Sequence, residues 1–195
     1  PRSDIALING LIHILLEHGL VDREYIAKHT KGFEALEESV RKYTPEFVSQ
    51  VTGLSQEQLI KTAMIYGRAR APFIGWTMGV NHSVQGTETV TLLNTLALLT
   101  RNIGRPGAAP FSITGQCNAM GTRETGFTAS MPGYRAYDDA SARAELAARL
   151  GIDESRLPAE RGRAYPDIIN AVVSGRIKGL WIIATNPVVS YPNRE

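Results

Sequence analysis

The residues from Phe111 to Gly126, Phe-Ser-Ile-Thr-Gly-Gln-Cys-Asn-Ala-Met-Gly-Thr-Arg-Glu-Thr-Gly, hold the densest group of side chains that could do chemistry in this sequence. Thr114, Gln116, Asn118, Thr122 and Arg123 bring donors with little acidity. Gly115, Gly121 and Gly126 permit positive φ and close backbone approach. Exposed amides beside a guanidinium suit an anion. An ordinary surface loop, with Arg123 paired to Glu124 or another acid, accounts for the same residues, and residue chemistry alone weighs the two evenly. Standard catalytic patterns are missing: the sequence has no Gly-x-Ser-x-Gly, no Walker sequence and no His-Glu-x-x-His. His13, His18, His29 and His82 share no metal-binding spacing. Polar turns without an obvious nucleophile fit a protein that holds a large ligand whose own chemistry matters more.

Composition removes several function classes. A formal charge of +2 with no Lys/Arg block gives no electrostatic footprint for nucleic acid. No apolar run reaches the ~18 residues that span a bilayer, and no signal peptide is visible. The single cysteine, Cys117, cannot form an internal disulfide, a four-thiolate zinc site or an iron–sulfur cluster. It reads as a packed, inert thiol. A chain of 195 residues, 43% of them hydrophobic, can bury a sizeable core. It starts at Pro1 where a helix is beginning and stops at Glu195 just after a strand-like run, so an interior piece of a longer protein is expected.

The elements that must position these residues are legible in outline. Ser3 and Asp4 can cap a helix in which Ile5, Ile8, Leu11, Ile12, Leu15 and Leu16 recur at helical spacing. A second helix is expected from Asp22 to His29. Ser55 and Gln58 form a capping box for a third, to about Ala69. Ala71 to Met78 reads as a buried strand, with Gly79 allowing a turn. A helix follows from about Thr87 to Arg101, then an irregular stretch to Gly133. Ala140 to Leu150 and Pro166 to Ser174 read as helices, and Gly179 to Ala184 as a second buried strand ending in Thr185-Asn186-Pro187. The order predicts an α/β fold, a mostly parallel open sheet with flanking helices. Ligands in such folds bind beyond the carboxyl ends of the strands.

Four segments in order then carry a resemblance. They are Pro1-Arg-Ser-Asp-Ile-Ala-Leu-Ile-Asn-Gly10, Gly75-Trp-Thr-Met-Gly-Val-Asn-His82, the run from Asn94 to Glu124, and Leu180-Trp-Ile-Ile-Ala-Thr-Asn-Pro187. Together they resemble the catalytic subunit of bacterial assimilatory nitrate reductases, relatives of periplasmic nitrate reductases and formate dehydrogenases among the molybdopterin oxidoreductases. The resemblance implies molybdenum held by two molybdopterin guanine dinucleotides. It places Arg2, Ser3 and Asp4 at one nucleotide end, with the Asp4 carboxylate accepting from guanine N–H groups; the same residue can cap the first helix. Met78, Gly79 and His82 resemble contacts near metal and pterin, although the family more often has Gln at the last position; Met78 also fits a core residue at a strand end. Gly115 and Gln116 resemble the loop beside molybdenum. Asn186 resembles a cofactor contact, or a helix N-cap before Pro187.

The same resemblance bears on the substrate. Formate dehydrogenases usually place Arg before the Gly-Gln pair, where this chain has Thr114, as nitrate reductases do. Arg123 resembles the arginine of the nitrate pocket, and its planar fork is apt for a planar oxyanion. Nitrate reduction to nitrite in nitrogen assimilation is therefore expected. The rivals are a fragment of a related formate dehydrogenase and a non-catalytic nucleotide-binding or scaffold domain. Residues 1–110 are expected to belong to one α/β lobe, and 111–195 to an active-site loop and the start of its neighbour. A four-cysteine motif for a 4Fe–4S cluster and the molybdenum ligand are expected in segments outside this chain, which alone should show no turnover. Implied partners are the rest of the catalytic subunit and an electron donor: ferredoxin, flavodoxin or an NADH-linked subunit. The implied compartment is the cytoplasm.

Overall fold

The computed structural model describes residues 2–126 and 130–190. The chain divides into two compact units, one up to Cys117 and one from Asn118. Pro1, the first residue of the opening motif, and 127–129, within the stretch expected to be irregular, lie outside the described residues.

The first unit is built around α1 (Asp4–Glu17), in which Ile8, Leu11, Ile12, Ile14 and Leu15 are all buried. A helix apolar over so much of its surface must be wrapped by others. It packs against α3 (Phe33–Val40), α4 (Pro45–Thr52), α5 (Gln56–Arg68) and α7 (Gly86–Leu99). Ile26 of α2 (Arg23–His29), with Val40, Val48, Leu59, Leu93, Leu96 and Leu99, completes one continuous core. The capping box indicated by the sequence forms, and Asp22, expected as the first residue of a helix, caps α2 instead. Asp22 accepts from the Tyr25 amide at 2.8 Å at the start of α2. Ser55 and Gln58 exchange both bonds of the capping box, at 3.1 and 2.9 Å. Ser3 occupies the N-cap of α1 without a side-chain capping bond. Helices α3 and α4 lie where no element was expected, although Thr44, Pro45 and the left-handed Gly53 form a standard start and stop for α4.

Strand β1 (Phe73–Trp76) is shorter than expected and half-buried rather than buried. Met78, expected within it, starts the short helix α6 (Met78–Asn81). Its partner is β2 (Ala109–Ser112), parallel and in register from Phe73 opposite Ala109 to Trp76 opposite Ser112. β2 falls in the stretch read as irregular; Pro110 in the middle of a four-residue strand hides it. Ile74 and Trp76 pack on the main core, while Phe73 and Phe111 pair on the other face, ring centroids 5.8 Å apart. The α/β class thus holds, with a parallel sheet of two strands.

The second unit has a small core of Met131, Ala142 and Leu146, joined by Tyr137 and Leu157. It contains α8 (Ala119–Glu124), also unexpected, then α9 (Ala140–Leu150), α10 (Tyr165–Val173) and α11 (Pro187–Ser190). α9 keeps its expected bounds, capped by Asp139 and closed by the left-handed Gly151. Residues 179–184 do not form the expected buried strand. Leu180, Trp181, Ile182 and Ile183 are all exposed, Trp181 at 86%. A strand exists only by pairing, and none of the described residues pairs with this segment. Among the described residues no helix is long and apolar enough to cross a membrane.

Candidate functional site

Parallel pairing brings the carboxyl ends of β1 and β2 to one edge. The ladder runs one residue past the last strand pair, where the Ile113 amide donates to the Trp76 carbonyl at 2.7 Å. β1 continues into Thr77, whose extended backbone (φ −147°) hands the chain to α6. β2 continues into Thr114, Gly115 and Gln116, all exposed.

α6 is tied to what surrounds it. The Trp76 indole N–H donates to the Asn81 side-chain oxygen at 3.1 Å. Gly86, buried at the start of α7, lets α6 approach closely. A Cβ there would lie 2.9 Å from the carbonyl oxygens of both Val80 and Asn81. The turn between α6 and α7 and the start of α1 then enclose a cleft of about 610 Å³. Arg2, Asp4, Met78, Gly79 and His82 line it, so five of the expected cofactor contacts meet at one place. Arg2 and Asp4 supply a cation and a carboxylate at the mouth of α1, and Arg2 holds a left-handed φ of 65°. That conformation costs a non-glycine residue about 1–2 kcal/mol and is found often at ligand sites. Gly79 is exposed, and a Cβ on it would meet nothing within 4 Å, so its backbone is open to a ligand.

Ser3 is not part of the cleft wall; its carbonyl accepts from the Leu7 amide at 3.0 Å. Ser83, Val84, Gln85 and Thr89 are part of it and went unnoticed in the sequence. Thr89 is 2% exposed and donates its hydroxyl to the Gln85 carbonyl at 2.9 Å. Nothing in a Thr on a helix signals this, but Ser83 to Gln85 directly follow the His82 motif.

The remaining expected site residues are not among those that line this cleft. Thr114, Gly115 and Gln116 belong to the first unit; Arg123 and Asn186 belong to the second. Arg123 sits on α8, exposed, with no side-chain hydrogen bond or carboxylate partner among the described residues; the alternative pairing with Glu124 does not form. α8 exists because Asn118, left-handed at φ 49°, accepts from the Gly121 amide at 3.2 Å. Among Gly115, Gly121 and Gly126, only Gly126 takes a positive φ. Asn186 precedes α11, its carbonyl accepting from the amides of Val189 and Ser190. Cys117, the last residue of the first unit, is exposed rather than packed.

Residues 1–195, the whole chain, match the family of molybdopterin oxidoreductases. The chain belongs to that family. It is 40% identical to a nitrate reductase of Synechocystis sp., over 100% of this chain and 28% of that protein. It is 34% identical to formate dehydrogenase H of Escherichia coli, over 95% of this chain and 26% of that protein. With the assimilatory nitrate reductase catalytic subunit of Bacillus subtilis the identity is 32%, over 99% of this chain and 27% of that protein. This molybdopterin oxidoreductase chain therefore spans little more than a quarter of the length of these relatives. The family implies a molybdenum–molybdopterin cofactor.

Proposed function

We propose that this chain is part of the catalytic subunit of a molybdenum-dependent nitrate reductase that forms nitrite for nitrogen assimilation. The observation that carries the cofactor part is the cleft, where Arg2, Asp4, Met78, Gly79 and His82 converge. Its donor set fits one end of a molybdopterin guanine dinucleotide. The Asp4 carboxylate accepts the N–H groups of a guanine edge, and the Arg2 guanidinium suits a diphosphate. The open backbone of Gly79 admits close approach of the ligand. A cleft of about 610 Å³ is the size of a typical small-molecule site.

When bound, molybdenum supplies the two-electron oxygen-atom chemistry that converts nitrate to nitrite. This chain's residues bind and orient. Arg123, without a carboxylate partner among the described residues, is free to hold a planar oxyanion through its fork. Thr114 and Gln116 add neutral donors on the loop after β2. Asn186 adds a further cofactor contact. The 4Fe–4S cluster belongs to a segment outside this chain, and electrons reach the cytoplasmic enzyme from ferredoxin, flavodoxin or an NADH-linked subunit.

Nitrate is favoured over formate by Thr114 standing where formate dehydrogenases usually have Arg, and by the 40% identity to a nitrate reductase. A second reading, formate oxidation, is supported by the 34% identity to formate dehydrogenase H. The experiment that separates them is turnover by the full-length parent subunit, purified with molybdenum bound. Nitrite formation from nitrate with a reduced viologen dye as electron donor, and little formate oxidation, is the expected result. Formate oxidation without nitrite formation would overturn the choice of substrate and leave the cofactor assignment standing.

A further inference from the structure

Asn81 is not part of the cleft wall, yet Met78 and Gly79 before it and His82 after it are. Its side-chain oxygen accepts the indole N–H of Trp76 at 3.1 Å. Trp76 closes β1 and packs against the main core; Asn81 closes α6. The bond therefore clasps the segment 77–80, which contains the cleft residues Met78 and Gly79, and His82 follows directly. A helix of four residues has almost no stability of its own. Its placement must come from tertiary contacts. Three are present: this side-chain bond, which ties Asn81 back to the residue before Thr77, the close approach of Gly86 to the Val80 and Asn81 carbonyls, and the packing of Val80 against the main core. Within α6, the Val80 and Asn81 amides both bond the Thr77 carbonyl, at 3.1 and 3.2 Å, so the turn moves as a body.

We infer that Asn81 is a positioning residue for the cofactor cleft: its side-chain oxygen, held by Trp76, sets where Met78, Gly79 and His82 stand. The inference rests on the assignment of this cleft to the cofactor. What the bond needs is an acceptor oxygen at the end of a short side chain. Asp supplies one; Leu has similar bulk and supplies none.

The test uses the full-length parent subunit purified with its cofactor, and reads retained molybdopterin by the fluorescence of its oxidised pterin after release. Asn81→Leu is expected to lower retained molybdopterin about tenfold, the usual scale for removing a supporting partner of a ligand contact. Asn81→Asp is expected to keep the parental content. Both variants should keep the parental thermal midpoint. Should Asn81→Leu not fold, Trp76→Phe removes the donor from the other side and is expected to give the same loss. Parental content in Asn81→Leu, or in Trp76→Phe where that variant stands in, would overturn the inference. So would an equal loss in Asn81→Asp. Asp4→Ala separates the two levels. A loss in Asp4→Ala with full content in Asn81→Leu overturns the positioning role alone; full content in both overturns the cleft assignment as well.

Discussion

The Ile113 amide donates to the Trp76 carbonyl at 2.7 Å, one step beyond the last residue pair of the sheet. This bond fixes where both strands release the chain. Beyond Trp76 the chain turns into α6; beyond Ile113 it runs into Thr114, Gly115 and Gln116. In a sheet of two strands each ladder bond matters more than in a wide one. Ile113→Pro removes the donor while leaving an apolar residue. The expected loss is about 1–3 kcal/mol, the cost of leaving the carbonyl unpaired. Urea unfolding of the chain measures it, and an unchanged midpoint would mean that the two strand ends are held by something else.

Gly10 and Val48 set the distance between α1 and α4. A Cβ on Gly10 would lie 2.7 Å from Val48 Cγ2, and Val48 is fully buried. Two effects oppose each other in Gly10→Ala. Helix propensity favours Ala by about 1 kcal/mol. Overpacking a full core costs about 1–3 kcal/mol, and a β-branched neighbour has little rotamer freedom with which to yield. The variant is expected to be less stable than the parent in urea. Adding Val48→Ala should recover part of that loss, so that the pair is non-additive by at least about 0.5 kcal/mol. Strict additivity would show that the two side chains do not compete for this space.

What the sequence made legible divides along a physical line. Elements specified by neighbours in the chain were readable: the α2 helix, the Ser55–Gln58 box, and α9 between Asp139 and Gly151. Elements specified by distant partners were not. Gly179 to Ala184 has a strand's composition but no strand beside it among the described residues. β2 is short and carries Pro110, and only its pairing with β1 reveals it. α8 depends on one left-handed asparagine within a Gly- and Thr-rich stretch that resembles a loop. The cleft shows the same division. Arg2, Asp4, Met78, Gly79 and His82 came from resemblance to a family, and the fold gathers them. Thr89 reaches the same wall because α7 packs beside α6, a fact that no local motif encodes.

Acid should loosen the second unit through three exposed carboxylates. Hydrogen bonds from Ser141 hold Asp139 below the ordinary aspartate range, aided by the Ala142 amide. The hydrogen bond from Arg149, with the charge of Arg135, does the same for Glu145. Hydrogen bonds from Ser155 do so for Asp153. A carboxyl lowered by folding stays ionised in the folded chain after the unfolded chain has begun to take up protons. Its contribution is therefore complete above the ordinary carboxylate range, at about pH 5, and is lost as pH falls through about 4 and below. The thermal midpoint of the chain should drop over that window. Combining Asp139→Asn, Glu145→Gln and Asp153→Asn should flatten the drop. A triple variant with the parental pH profile would assign acid sensitivity to other groups.

Arg123 is the residue on which the proposed substrate can be tested most directly. It is exposed on α8, and no carboxylate among the described residues neutralises it. A guanidinium offers two parallel donors to a planar oxyanion, where an ammonium offers only a point charge. Arg123→Lys in the parent subunit keeps the charge and loses the fork; Arg123→Ala loses both. A hydrogen bond to a charged group is worth about 1.5–3 kcal/mol. That corresponds to a fall of about 10- to 100-fold in kcat/KM for nitrate in Arg123→Ala. Arg123→Lys should lie between that variant and the parent. Molybdopterin content should not change, since the residue is assigned to the substrate and not to the cofactor. If both variants turn over nitrate like the parent, the oxyanion is held elsewhere. If Arg123→Ala instead loses cofactor, the residue belongs to the cofactor's binding surface.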